Sequence, residues 1–187
     1  KKVVNYICKR EMINKNRGEM KVFKVGDYIV CGHNGVCKVE KIGTLEASSS
    51  DRMFYTLTPV DDRNAQIFTP VDNNKMIMRY VMTKDEALDL IDSMTTLGDL
   101  AIPSEKKKEE AYKKILKSCD PKELAQMIKT IYKHRQSRRL SGKKEMVSDA
   151  KYYKLAKKQL YNELAAALVM DIENVSGFIH QRIESEI

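Results

Sequence analysis

The sequence predicts an α+β fold: a small N-terminal sheet, strongly bent or closed into a barrel, followed by an all-helical domain. Three observations predict it. Between residues 20 and 71, short β-branched and aromatic runs alternate with turn residues. After Val71 the apolar period lengthens from two to 3.6. The charge also divides, further along the chain: residues 20–100 carry 9 Lys/Arg against 12 Asp/Glu, whereas residues 106–158 carry 18 against 6. These shifts set expected boundaries of 20–78 for the β domain and 79–187 for the helical domain.

Residues 1–19 are basic and aperiodic and precede a natural start at Met20. The run Arg17-Gly18-Glu19-Met20 is compatible with a purine-rich stretch like a ribosome-binding site, so 1–19 is read as a leader or extra segment. The competing reading is a basic arm that orders on DNA, and mapping the mRNA start decides between them.

Within the β domain, Gly26-Asp27 is a turn pair and Tyr28-Ile29-Val30-Cys31 the first strand. His33-Asn34-Gly35 turns the chain, because Asn-Gly accepts positive φ. Val36 to Leu45 alternates as a second strand, Ser48-Ser49-Ser50-Asp51 is a loop, and Met53 to Val60 is a third strand. Asp61-Asp62-Arg63-Asn64 is a further loop, and Ala65 to Thr69 a last strand before Pro70. Met76, Met78 and Met82 are read as core filling.

The helical domain opens at Thr83, with Glu86 three residues later forming a capping box for a helix over Lys84–Met94. Glu105 to Leu116 is a charged helix with Tyr112, Ile115 and Leu116 on its apolar side. Asp120 caps the next helix, with Pro121 at the first position and Glu123 at the third. That helix runs to about Arg138 on Leu124, Met127, Ile128 and Ile131. Ser148 is expected to cap a long helix bearing Tyr152, Leu155, Ala156, Leu160, Leu164 and Leu168. Asp171 to Ile187 is a last helix on Ile172, Val175, Ile179 and Ile183.

Bulk properties narrow the function classes. Hydrophobic residues make up 42% and charged residues 32%, enough for a core and a solvated surface. No apolar run approaches the roughly 20 residues of a membrane span. Four scattered cysteines, Cys8, Cys31, Cys37 and Cys119, suit reduced thiols in a cytoplasm better than a disulfide framework.

Catalytic signatures are weak. Cys31, His33 and Cys37 lack the fourth ligand and paired knuckles of a structural zinc site. Cys119 with His134 has no flanking signature of a nucleophilic pair, and Cys119 reads as an ordinary cysteine. No glycine-rich phosphate loop is present. The chain is therefore read as a non-enzyme with no cofactor and no metal.

The basic cluster differs in kind. Lys129, Lys133, His134, Arg135, Arg138, Arg139, Lys143 and Lys144 span one helix end and the connection beyond it. Cations there complement the helix dipole, but there are more of them than a helix end needs. Tyr132, Tyr152 and Tyr153 lie close in sequence and suit contacts to a phosphodiester backbone. The cluster is read as a phosphate-contacting surface; the alternative is an adaptor whose basic helices bind an acidic protein.

Both halves resemble the CarD (CdnL) family of bacterial transcription regulators over about residues 20–170. Phe23-Lys24-Val25-Gly26-Asp27-Tyr28-Ile29-Val30-Cys31-Gly32-His33-Asn34-Gly35-Val36 is similar to the family pattern F-x-V-G-D, apolar residues, then H-x-G, shared with transcription-repair coupling factor. Lys117–Asp120, Leu124-Ala125, Ile131-Tyr132-Lys133, Arg138–Ser141, and Ala156 through Ala165 resemble the CarD helical domain in order and spacing. The resemblance implies a Tudor-like module that pairs a strand with the RNA polymerase β subunit, here Ala65, Gln66, Ile67, Phe68 and Thr69, with Leu45 on the neighbouring strand. It also implies a helical module touching promoter DNA at the upstream edge of the bubble and tuning open-complex stability. Relatives place arginines where this chain has Leu45 and Phe68. Several insert a tryptophan wedge where this chain has Ser104-Glu105-Lys106-Lys107-Lys108. Lys106, Lys107 and Lys108 can contact phosphate but cannot wedge as an indole does.

Overall fold

A computed structural model describes residues 23–45, 51–102 and 104–184; the expected leader at 1–19 lies outside them. Five strands come first: β1 Tyr28–Cys31, β2 Val36–Gly43, β3 Phe54–Pro59, β4 Ile67–Pro70 and β5 Met78–Tyr80. Five helices follow: α1 Lys84–Ser93, α2 Lys108–Ser118, α3 Pro121–Leu140, α4 Val147–Leu168 and α5 Ile172–Glu184. The α+β class is as the change of period predicts.

Turn chemistry sets the sheet. Gly26 sits at φ 93°, a region that favours glycine, and its amide donates to the Val39 carbonyl at 2.7 Å. Asp27 locks the same turn by accepting from the Lys24 amide at 2.7 Å. The strands pair antiparallel in the order β4-β3-β2-β1-β5. A register shift between Val39 and Lys41 marks a bulge in β2, which bends the strand. The sheet is open, not closed into a barrel. On β3, Tyr55, Leu57 and Pro59 alternate inward. Phe23 packs between Tyr55 and Tyr80, with ring centroids at 5.7 and 5.0 Å. Its amide donates to the Tyr55 hydroxyl at 3.1 Å.

Three expectations for individual elements are corrected. β5 falls in a stretch read as the start of helical periodicity. It has three residues, and its partner β1 lies some fifty residues back, so no local pattern reports it. β4 starts at Ile67 because the Ala65 amide donates to Asp62 O in the preceding turn at 3.2 Å. α4 starts one residue before the expected cap Ser148; Met146 holds the cap position with no side-chain hydrogen bond.

The other helix starts follow capping chemistry. Thr83 Oγ1 accepts from the Glu86 amide at 3.2 Å, and a Glu86 carboxylate oxygen accepts from the Thr83 amide at 2.7 Å. Asp120 Oδ1 accepts from the amides of Lys122 and Glu123 at 2.9 and 3.0 Å. Asp120→Ala is expected to lower stability by about 1 kcal/mol. Urea unfolding monitored by circular dichroism measures it, and a change under a few tenths of a kcal/mol would show that the cap does not hold α3.

Leu124, Met127, Ile131, Tyr152, Ala156, Leu160 and Leu164 form the centre of the helical core, joined by Ala87 and Ile91 from α1 and Val175 from α5. Arg182 of α5 forks onto Asp92 of α1, with Nη2 to Oδ2 at 2.7 Å. A smaller buried cluster lies between sheet and helices: Val30, Val36 and Val81 against Cys119 and Ala166. Among the described residues no helix is long and apolar enough to cross a membrane.

Candidate functional site

Among the described residues β4 is the last strand on one side of the sheet, and its outer edge is one candidate surface. The Val71 amide donates to Met53 O at 3.0 Å. Antiparallel alternation therefore turns the amides of Val71, Thr69 and Ile67 toward β3, and those of Phe68 and Gln66 outward. Pro70 shares the outward register and offers no amide, as edge strands tolerate. The edge thus presents the Phe68 N–H and C=O, with the Phe68 side chain 49% exposed. Thr69 is buried, its hydroxyl accepting from Asn73 Nδ2 at 2.8 Å. The strand beside β4 is β3, so Leu45, just past the end of β2, is not on the neighbouring strand as expected. Ala65 and Gln66 precede β4.

A buried polar junction holds sheet to helices. Arg79 of β5 forks onto Glu163 of α4, with Nη2 to Oε2 at 2.8 Å, and donates to Cys119 O at 2.6 Å. Burial opposes the Arg79 charge, but Glu163 more than offsets it and holds the guanidinium pKa above its ordinary value. Glu163, 2% exposed, also accepts from the Met82 amide at 3.1 Å. Gln159 Nε2 donates to Gly32 O at 3.2 Å, across the same seam.

The cysteines sit in apolar surroundings. Contact with Cys31, reinforced by burial, pushes the Cys37 thiol up. Burial pushes the Cys119 thiol up too. His33 is exposed while Cys31 and Cys37 are buried. Among the described residues no group of three His, Cys, Asp or Glu is placed to hold a metal.

Residues 23–81 match the family model of the CarD-like/TRCF RID domain. This segment is a CarD-like/TRCF RID domain. The domain is of a protein-interaction type that binds RNA polymerase, and it ties the chain to transcription. No curated protein matches the chain. The RID domain spans β1 to β5 and ends at Val81, one residue before the Met82 amide that Glu163 holds.

Outside the RID domain, the cations predicted from sequence separate into two groups. Lys108 is 6% exposed and turned inward: its Nζ pairs with Asp149 Oδ1 at 3.0 Å, and His134 Nδ1 meets the other carboxylate oxygen. It is a core ion pair and not a backbone contact, because Asp149 is fully buried and requires a counter-charge. Lys129 Nζ caps the end of α1, donating to the carbonyls of Met94, Thr95 and Leu97 at 3.1, 2.9 and 2.6 Å. Lys133 pairs with Asp99 on the surface at 2.8 Å.

Lys106 and Lys107 remain exposed in a 3-10 turn before α2. Arg135, Arg138, Arg139, Lys143 and Lys144 gather where α3 ends and α4 begins. There the Gly142 amide donates to Arg139 O at 3.1 Å and the Lys143 amide to Arg138 O at 2.9 Å. This is a Schellman motif with Gly142 at φ 67°. Arg138 Nε donates to Lys144 O at 2.9 Å and stiffens the turn.

A groove of about 480 Å³ opens beside this turn, lined in part by Tyr132, Arg135, Gln136, Arg139, Lys143 and Tyr153. Tyr132 and Tyr153 reach it, whereas Tyr152 is buried against Tyr112 at 5.4 Å between ring centroids. Sequence reasoning missed Gln136 and Glu145. The signal for Gln136 was present: Tyr132, Arg135, Gln136 and Arg139 follow i, i+3, i+4, i+7 and share one helix face.

Proposed function

We propose that the chain is a transcription regulator that docks on the RNA polymerase β subunit through the β4 edge and holds promoter DNA with its helical half, altering open-complex stability. The polymerase-facing unit is 20–78 and the DNA-facing unit 79–187, with β5 at their boundary. The observation that carries this reading is the pairing, in one chain, of an RID domain whose β4 edge is left open by the described residues with a turn bearing cations. Strand addition supplies main-chain hydrogen bonds, and phosphate contact supplies counterion release. Linking two weak contacts raises the effective affinity of each. Lys106 and Lys107 add charge on the same helical half. Without a tryptophan in the chain, DNA is held by its backbone and not by an indole wedge.

The test separates the two contacts. Phe68→Pro removes the outward amide of β4 and is expected to abolish capture of the β subunit by the folded protein. Arg138→Ala with Arg139→Ala is expected to leave that capture intact and to lower the slope of log K against log salt for promoter DNA by about two units. Undiminished capture by the Phe68→Pro protein rules out β4 as the docking strand. An unchanged salt slope moves the DNA surface away from the α3–α4 turn.

A further inference from the structure

We propose that the groove at the α3–α4 turn takes an unpaired DNA strand, with one base stacked on the Arg135 guanidinium and the neighbouring phosphates on Arg139, Lys143 and Lys144. This rests on the DNA reading above and narrows it from duplex to single strand.

The proposal starts from what Arg135 does. Its guanidinium carbon lies 4.7 Å from the Tyr153 ring centroid. Glu145 holds the same group by two contacts, Nε to Oε1 at 2.5 Å and Nη2 to Oε2 at 3.2 Å. A guanidinium seated over a ring and forked by a carboxylate is restrained in orientation and partly compensated in charge. That is a poor phosphate ligand and a good stacking surface. Tyr132 adds a second aromatic: it is 51% exposed, and its hydroxyl accepts from Gln136 Nε2 at 2.9 Å.

The remaining lining sets the path of the backbone. Arg139, Lys143 and Lys144 are exposed and line the groove. Glu145 disfavours phosphate at its own end of the groove, so the chain of phosphates follows the other three. The Schellman motif fixes that frame before any ligand arrives, which reduces the ordering cost of binding. Base faces are available in an unpaired strand and hidden in a duplex, and cations interleaved with π surfaces are how sequence-tolerant single-strand sites are built. At about 480 Å³ the groove is of small-ligand size.

The experiment uses the full chain, a labelled oligo-dT and a hairpin duplex with the same number of phosphates, in anisotropy titrations at fixed salt. The chain has nine tyrosines and no tryptophan, so quenching of tyrosine emission by unlabelled oligo-dT reports stacking directly. Wild type is expected to bind oligo-dT more tightly than duplex and to show that quench. Arg135→Lys keeps the charge and loses the plane; its loss on oligo-dT is expected to exceed its loss on duplex at least about fivefold. Tyr132→Leu is expected to reduce the quench, with circular dichroism verifying the fold of both variants. Equal losses on the two ligands, or an Arg135→Lys protein that binds oligo-dT like wild type, overturn the single-strand assignment. Binding of the duplex alone also overturns it and leaves the DNA reading standing. Binding of neither ligand removes both.

Discussion

Glu163→Ala is expected to destabilise the protein by about 3–5 kcal/mol. The substitution strips the Arg79 guanidinium of its paired carboxylate and leaves the Met82 amide without its acceptor. The Arg79 side chain is only 24% exposed, and a largely enclosed cation without its counter-charge costs more than the pair contributes. The double variant Arg79→Met with Glu163→Leu removes both charges and is expected to recover most of the loss. Glu163→Gln keeps a hydrogen-bonding side chain of the same shape and is expected to fall between. Chemical denaturation of the four proteins measures the series. A single variant that loses less than about 1 kcal/mol would place the junction's stability in its apolar contacts, Val30, Val36, Val81 and Ala166, and not in the ion pair.

Asp149→Ala is expected to cost a similar amount, about 3–5 kcal/mol, by a separate route. Asp149 is fully buried between Lys108 of α2 and His134 of α3. Its removal leaves the Lys108 ammonium in the helical core beside Tyr112, 6.0 Å from the ring centroid. Lys106→Ala and Lys107→Ala, on exposed positions of the same run, are expected to stay within about 0.5 kcal/mol of wild type. Thermal unfolding of the three variants distinguishes them. Were Lys107→Ala to destabilise as much as Asp149→Ala, the inward placement of Lys108 would be wrong.

This contrast shows where sequence reading succeeds. The Thr83–Glu86 box and the Asp120 cap are chemistry within three residues, so spacing alone reveals them. β1 shows as a short apolar run after a turn pair, and β3 carries its alternation in a handful of consecutive residues. The three lysines at 106–108 look alike in sequence because what separates them lies elsewhere: Asp149 is 41 positions downstream of Lys108. Arg79 and Glu163 are 84 apart, and no period or motif links them. β5 is hidden for the same reason, since its three residues owe their extended form to β1. Of the candidate sites, the strand that forms the sheet edge was legible to within two residues. The charge of the α3–α4 turn was legible too, but not which cations were already committed to carbonyls and carboxylates.

The seam between sheet and helices also fixes a length. Arg79 reaches from the last strand to both Cys119 and Glu163, and Gln159 reaches back to Gly32. β5 and α4 are thereby clamped to the connections at Gly32 and Cys119, and the sheet that carries the β4 edge is tied to the helices that carry the α3–α4 turn while the clamp holds. Under the proposed function the protein then works as a gauge: its seat on the polymerase sets the one height along the DNA at which its cations can land. A promoter would be sorted by the geometry of its melted region at that height, and the letters of its sequence would matter only through how readily that position opens.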